Sequence, residues 1–361
     1  MKISISKDVE KEINKYLLTK EDNMSAVELI NILLSEENNN LDQQDLLRNG
    51  NNYFKALIEK TDVDINDEYF KSMDEKYHFS DIKQLNENDY TENEYFVNIK
   101  PKFAKNKNRY LCYLTYNSFQ AFTYDEINID NKYFKETVPV GYFKEKFTYP
   151  AIIDQDKIWM SIIPHEINTM KKPIKNAFGK VLVIGLGLGY FTYMISLKDE
   201  VDEIVVIEKD KKIIELFNEE ILPRFVNKNK IKIINKDAFE YLEEKHDFDY
   251  VFMDIWHNVG DGIYLYLATK YYENYYTNTH FDYWIEESLI AMLRRMILTV
   301  FEEQYYSHFT SKDYLKAKNK NDKVINKIYF YTENYCINNI DDFRNMLSND
   351  FLKEMAKKLY L

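Results

Sequence analysis

The sequence predicts an α/β protein: a doubly wound, mostly parallel sheet, preceded by a helical region and a small antiparallel β region. Three observations predict it. From Gly179 onward, near-continuous apolar strands alternate with amphipathic helices, as in a parallel sheet covered on both faces. The chain has 8 glycines, and three of them, Gly185, Gly187 and Gly189, stand at alternate positions where the first of those strands ends. Upstream, helical spacing over about ninety residues gives way to short aromatic and β-branched runs.

In chain order, "VELINILLSEE" and "YFKALIEKT" carry apolar residues at helical spacing, and "DINDEYFKSMDEKY" reads as a capped helix. They make residues 1–92 a helical region. "EYFVNI", "RYLCYLTY" and "FQAFTY" read as antiparallel strands, and "YPAIIDQDKIWMSII" as a hairpin turning at Asp154–Asp156, so 93–163 is a small β-rich domain. Pro164 opens a helix, since proline suits a first turn. The alternating stretch runs "VLVIG", "YFTYMISLK", "EIVVIE", "DKKIIELFNEEIL", "IKIIN", "AFEYLEEK", "FDYVFMDIW". A Tyr-rich helix, a fifth strand at "HFDYWI" and a long helix through Val300 complete a unit over 164–305. Residues 306–361 form an extension of helices or a terminal hairpin.

With 361 residues the chain is long enough for two or three domains. Hydrophobic residues at 45% and charged residues at 30% are the mix of a soluble globular protein. The net charge of -12 disfavours nucleic-acid binding. The Lys-rich runs Lys100–Arg109 and Leu315–Lys323 read as solvated loops. Cys112 and Cys336 lack the spacing of a metal or redox site and fit a reducing compartment. The N-terminus lacks a signal peptide's apolar core, and Arg294 and Arg295 interrupt "SLIAMLRRMILTVF", so no membrane span is expected. Cytoplasm is the expected address.

Glycines at a strand exit permit a tight turn, let backbone approach a ligand, and open a helix whose N–H groups face polar atoms. A dinucleotide fingerprint needs Gly or Ala where this chain has Tyr190, and a P-loop needs G-K-[ST], which is absent. The pattern here is G-x-G-x-G. It resembles motif I of the class I S-adenosylmethionine-dependent methyltransferases, which implies a Rossmann-like fold and S-adenosylmethionine as cofactor. Glu208, ending the second strand, is placed to accept both ribose hydroxyl protons. Asp237 and Ala238 match the family's adenine-contacting pair, although Asp237 also reads as a helix N-cap. Asp254 ends the fourth strand, at the sheet edge where such folds bind ligands.

Within that superfamily, Trp159 to Tyr266 looks most like the spermidine synthases: "PHEINTM", "ELFNEEILPRF" and "KDAFEYL" resemble their segments. Two departures matter. Leu188 stands where that family carries an acid for the donor's aminopropyl amine, and in "DIWHN" His257 replaces the second of two acids that handle the polyamine. The resemblance, so modified, implies methyl transfer to a small molecule or protein group. An aminopropyltransferase with an altered acceptor and an inactive, methyltransferase-like binding or assembly protein are the alternatives. Asp254 and His257 are the candidate catalytic residues, because the acceptor's proton must go somewhere. His257 also reads as a backbone-bonding loop residue. Trp256, Asn258 and Tyr264 are assigned to the substrate pocket, Trp256 also reading as core beneath the next helix. His165–Glu166 is a lesser candidate. No metal site is expected: Asp254, His257 and Asp261 lack the Asp-Asn pair that Mg-dependent O-methyltransferases use. The helical region 1–92 defaults to packing or homodimerisation.

Overall fold

A computed structural model of the chain describes residues 1–35, 37–106, 108–244, 246–316 and 320–359. Parts of both Lys-rich runs, Lys107 and residues 317–319, lie outside the described residues, as does Lys245 at the end of "AFEYLEEK". Five strands form the central sheet: β1 (Gly179–Ile184), β2 (Val201–Glu208), β3 (Ile231–Asn235), β4 (Tyr250–Met253) and β5 (His280–Tyr283). Their spatial order is β3-β2-β1-β4-β5, and every pairing is parallel. From Val181 to Ile184 every side chain of β1 is buried, as is all of β4, because helices cover both faces. That burial accounts for the unbroken apolar runs in the sequence. The chain moves outward from β1 in one direction and returns to the other side at β4. The reversal leaves a crevice at the carboxyl ends of β1 and β4, where ligands bind in such sheets.

Four helices follow the strands: α1 (Tyr190–Ser196), α2 (Lys211–Leu216), α3 (Ala238–Leu242) and α4 (Val259–Lys270), and α5 (Glu286–Tyr305) follows β5. Asp210 caps α2 and Asp237 caps α3, each side chain accepting a backbone N–H from the first turn. Upstream, Lys157–Ser161, Phe147–Asp154, Arg109–Tyr116 and Ala104–Asn106 make an antiparallel sheet in that order. The hairpin turns through Gln155 and Asp156, both at positive φ (50° and 62°), as the expected turn at Asp154–Asp156 requires.

One expectation of secondary structure is corrected. "EYFVNI" is a short helix, Glu94–Asn98, not a strand. Asn93 caps it by accepting from the Tyr95 N–H, and the Tyr95 hydroxyl donates to the Leu188 carbonyl at 2.6 Å. A cap and one tertiary hydrogen bond outweigh the β propensity of the aromatic run. The N-terminal region is mainly helical and carries two short strands: Lys83–Leu85 pairs with Val140–Phe143 in a second small sheet, and Lys2–Ile3 pairs with Cys336–Ile337. The tail has no hairpin among its described residues; that short strand stands between helices Lys320–Thr332, Ile340–Met346 and Asn349–Ala356. No described helix is long and apolar enough to cross a membrane.

The last helix is fixed by a buried ionic knot. Lys270, 4% exposed, sits 2.8 Å from Glu286 and 2.6 Å from Glu273, and Glu286 also takes Lys353 at 2.6 Å. Burial opposes ionisation of Glu286, but Lys270 and Lys353 overcome it and hold the carboxyl at about 2. A depressed carboxyl stabilises the fold above its unfolded-state value of 4.5, and the gain is lost as pH falls toward about 2. Glu286→Gln is therefore expected to lose about 3 kcal/mol in urea denaturation at neutral pH, as when one partner of a buried pair is removed. The gap to wild type is expected to narrow steadily below about pH 4.5.

Candidate active site

The three glycines differ in what they are for. Gly185 has φ +99°, and a Cβ there would collide with the carbonyl oxygen of Asp254, whose carbonyl carbon would lie 2.9 Å away. Gly189 (φ +74°) opens α1, and its Cβ would run into the Phe217 ring, with Cζ at 3.0 Å. Gly187 (φ +53°) is different: the nearest atom to its Cβ would be the Met160 sulfur at 3.9 Å, so it borders open space. Two of the glycines serve packing as well as the loop's shape, and one leaves room.

That room is part of a cavity of about 480 Å³ at the carboxyl ends of β1, β2 and β4, a size suited to a drug-sized ligand. Gly185, Gly187, Gly189, Glu208, Asp237, Ala238, Asp254, Trp256 and His257 all line it. Glu208 is half-buried at the end of β2. Its Oε2 accepts from the Leu186 N–H at 3.2 Å and its Oε1 from the Asp210 N–H at 2.8 Å, which ties the carboxylate to the glycine loop. Burial raises its affinity for a proton, and the two backbone N–H donors, Asp210 and Leu186, oppose the rise. Its remaining lone pairs are open to hydroxyl donors in the cavity. Asp237 caps α3, accepting from Phe239 at 2.8 Å, and borders the cavity at once, so its two readings coincide.

Asp254 and Glu166 face the same cavity without a counter-charge. Burial, then the charge of Glu208, pushes the Asp254 carboxyl up to about 7. Burial, then Asp254, raises Glu166 well above the usual carboxylate range. Neither side chain has a hydrogen-bond or ion-pair partner among the described residues. Glu166 comes from the helix Pro164–Thr169; its neighbour His165 is absent from the wall and packs edge-on toward Trp284, ring centres 6.1 Å apart. Its weight was hard to see in sequence because nothing local distinguishes it from a first-turn acid.

His257 is exposed at the cavity mouth. Its Nδ1 lies 3.0 Å from Asp261 Oδ2, and its ring packs edge to face with Trp159, ring centres 4.7 Å apart. Trp256, 5% exposed, fits both of its readings: it borders the cavity and packs against Gly262 of α4. Asn258 and Tyr264 are corrections. Asn258 turns back to cap α4, accepting from Gly260 at 2.8 Å, and is not in the cavity wall. Tyr264 is also outside the wall, because a helical turn directs its neighbour Leu265 there instead. Sequence reasoning missed Trp159 and Met160 of the hairpin, and Trp284 after β5. The available signal was tryptophan itself: the chain has 3, and all three line this cavity.

The residues present fit an adenosyl nucleotide. Glu208 is a hydroxyl acceptor, Gly187 leaves backbone approach open, and Thr192 Oγ1, Trp159 Nε1 and Trp256 Nε1 are buried in the wall without partners. Buried polar atoms left unpaired are costly, so a polar ligand is accommodated there. No group of His, Cys, Asp and Glu among the described residues has the arrangement of a metal site.

The family model of the spermine/spermidine synthase domain matches residues 162–336. Among solved structures, the spermidine synthase of Thermotoga maritima is similar at 17% identity, covering 41% of this chain and 59% of that one, with a TM-score of 0.28. A spermidine synthase in complex with the transition-state analogue AdoDATO is similar at 16%, covering 41% and 58%, TM-score 0.28. The Trypanosoma brucei PRMT1 enzyme–prozyme complex with AdoHcy is similar at 13%, covering 31% and 36%, TM-score 0.24. This chain thus spans 59% or less of each of these structures. No curated protein matches it significantly. The parallel sheet and the match over residues 162–336 give a Rossmann-like, class I methyltransferase-like fold that resembles the spermidine synthases over that part of the chain.

The glycine geometry makes a paired prediction. Gly185→Ala is expected to yield no folded protein, because its Cβ overlaps backbone that cannot move. Gly187→Ala is expected to fold with a loss of about 1–2 kcal/mol, the left-handed backbone penalty alone. Circular dichroism and urea denaturation of the two variants check this.

Proposed function

We propose that this protein is a transferase that uses an adenosyl sulfonium donor to alkylate an amine, with Asp254 taking the proton. The observation that carries the reading is the uncompensated pair of carboxylates, Asp254 and Glu166, in the cavity beside the glycine loop. Two acids that repel each other in a low-dielectric site are stabilised by a cation, and a protonated amine supplies one. Glu208 would hold the ribose hydroxyls and the glycine loop would take the donor's chain. The sulfonium would supply an already activated carbon: as the amine nitrogen bonds to it, the carbon–sulfur bond breaks and the neutral thioether leaves with the electron pair, so the protein's work is alignment and proton removal. An amine attacks only when neutral; Asp254, once ionised, accepts its proton. His257, with Asp261 behind it, stands at the mouth to receive the proton next.

Sequence alone counts Leu188 and His257 as two lost acids and so points to methyl transfer. The cavity restores one acid, Glu166. The wall's lysines, Lys209 and Lys236, are the chain neighbours of Glu208 and Asp237, and among the described residues no lysine or arginine acts on Asp254 or Glu166 to hold a donor carboxylate there. A decarboxylated donor, and hence aminopropyl-type transfer, therefore fits better. Methyl transfer from S-adenosylmethionine is the second reading, favoured by buried Leu188, which offers the donor's amine no carboxylate. We place the protein in the cytoplasm, on its free Cys112 and Cys336.

Calorimetric titration with S-adenosylmethionine, S-adenosylhomocysteine, decarboxylated S-adenosylmethionine and NAD tests the reading. Binding of an adenosyl nucleotide, quenching tryptophan fluorescence and lost in Glu208→Ala, is expected; failure of all adenosyl nucleotides to bind would refute it. With an amine acceptor, turnover is expected to rise with pH through about 7, where Asp254 ionises, and Asp254→Asn should cost about 100-fold or more. A pH-independent rate would remove Asp254 as the base.

A further inference from the structure

Arg109 is buried (7% exposed) at the start of the strand Arg109–Tyr116, outside the cavity wall. Its Nε donates to Asp154 Oδ2 at 3.0 Å, and its Nη1 pairs with Asp210. Its guanidinium lies 5.3 Å from the centre of the Trp159 ring. These three partners belong to two separate walls of the cavity. Asp154 ends one arm of the hairpin, and Trp159 and Met160 on the other arm line the cavity. Asp210 follows β2, also lines the cavity, and its N–H donates to Glu208 Oε1. Trp159 in turn meets the ring of His257.

We infer that Arg109 is a positioning residue that locks the hairpin wall, with Trp159, to the Glu208–Asp210 segment and so sets the width of the donor cavity. The inference rests on the donor reading proposed above. A planar guanidinium reaches two carboxylates on different elements while stacking on an aromatic face; an ammonium is a single point charge and cannot do all three. A pair of buried charges is also a poor source of net stability compared with apolar packing. What this arrangement provides is geometry: one cation fixes the distance between an aromatic wall and the carboxylate that would hold the ribose. Displacement of such a wall by about 1 Å is enough to cost two orders of magnitude in an aligned reaction.

The test uses the full chain as wild type, Arg109→Gln, Arg109→Lys and, as a control, Arg295→Gln, which breaks the Arg295–Glu136 ion pair away from the cavity. Hydrogen exchange without nucleotide is followed over residues 147–161, and S-adenosylhomocysteine binding is titrated. Arg109→Gln is expected to speed exchange across the hairpin about fivefold and to weaken nucleotide binding about tenfold. Arg109→Lys should recover part of each loss, and Arg295→Gln should change neither. Unchanged hairpin exchange in folded Arg109→Gln overturns the inference, as does faster exchange with unchanged affinity. If Arg109→Gln does not fold, both measurements are made on Arg109→Lys, where smaller changes in the same directions are expected and the absence of either overturns the inference. A wild type that binds no nucleotide, with a hairpin that still loosens in Arg109→Gln, refutes the donor reading and upholds the locking of the hairpin.

Discussion

The close approach of backbone at Gly185 and Asp254 is the constraint on which the site depends. The Asp254 N–H donates to the Ile184 carbonyl at 2.9 Å, extending the β1–β4 ladder by one bond, while Gly185 turns away at φ +99°. Any side chain at 185 would force β1 and β4 apart at their carboxyl ends. With none there, the fourth strand delivers its acid next to the glycine loop, and the sheet's reversal of direction leaves a cavity in front of it. The same loop is tied on its other side by Glu208, which takes the Leu186 N–H. Three neighbouring strands thus converge on one short turn.

Electrostatics give that convergence its chemical character. Glu208, Asp254 and Glu166 share a cavity walled by tryptophan, methionine and leucine, and burial raises all three carboxyls. Glu208 is partly satisfied by backbone donors, so it holds charge more readily than its neighbours. Asp254 lies near neutrality, where a carboxyl can both give and take a proton. Elsewhere Glu286 is neutralised by Lys270 and Lys353 and Glu136 by Arg295, while Glu126 accepts the Ser288 N–H instead. Among the described residues Asp254 and Glu166 have neither a cation nor a hydrogen-bond donor, and that contrast separates a ligand site from a structural ion pair.

The surrounding segments hold this arrangement from outside. The Tyr95 hydroxyl bonds the Leu188 carbonyl inside the glycine loop, and Asn93 bonds the Tyr190 hydroxyl at 2.9 Å, so the short helix near residue 95 braces the loop directly. Trp284 donates to Thr169 at 2.9 Å, joining the end of β5 to the helix that carries Glu166. Residues before motif I therefore take part in shaping the cavity as well as covering the sheet.

The sequence by itself determined the alternation of strands and helices from Gly179, the hairpin turn, and the placing of Gly187, Glu208, Asp237 and Asp254 around one crevice. These rest on local periodicity and on strand ends, which topology brings together whatever the side chains beyond them do. Only the tertiary structure decided that "EYFVNI" is helical, that Asn258 caps a helix, and that Leu265 rather than Tyr264 faces the cavity. It also decided that Glu166 stands against Asp254 and that Arg109 spans Asp154 and Asp210. Each of these depends on a partner distant in the chain, or on the angle at which a helix emerges. A one-residue shift around a helix moves a side chain by about 100°, and composition and spacing carry no record of it.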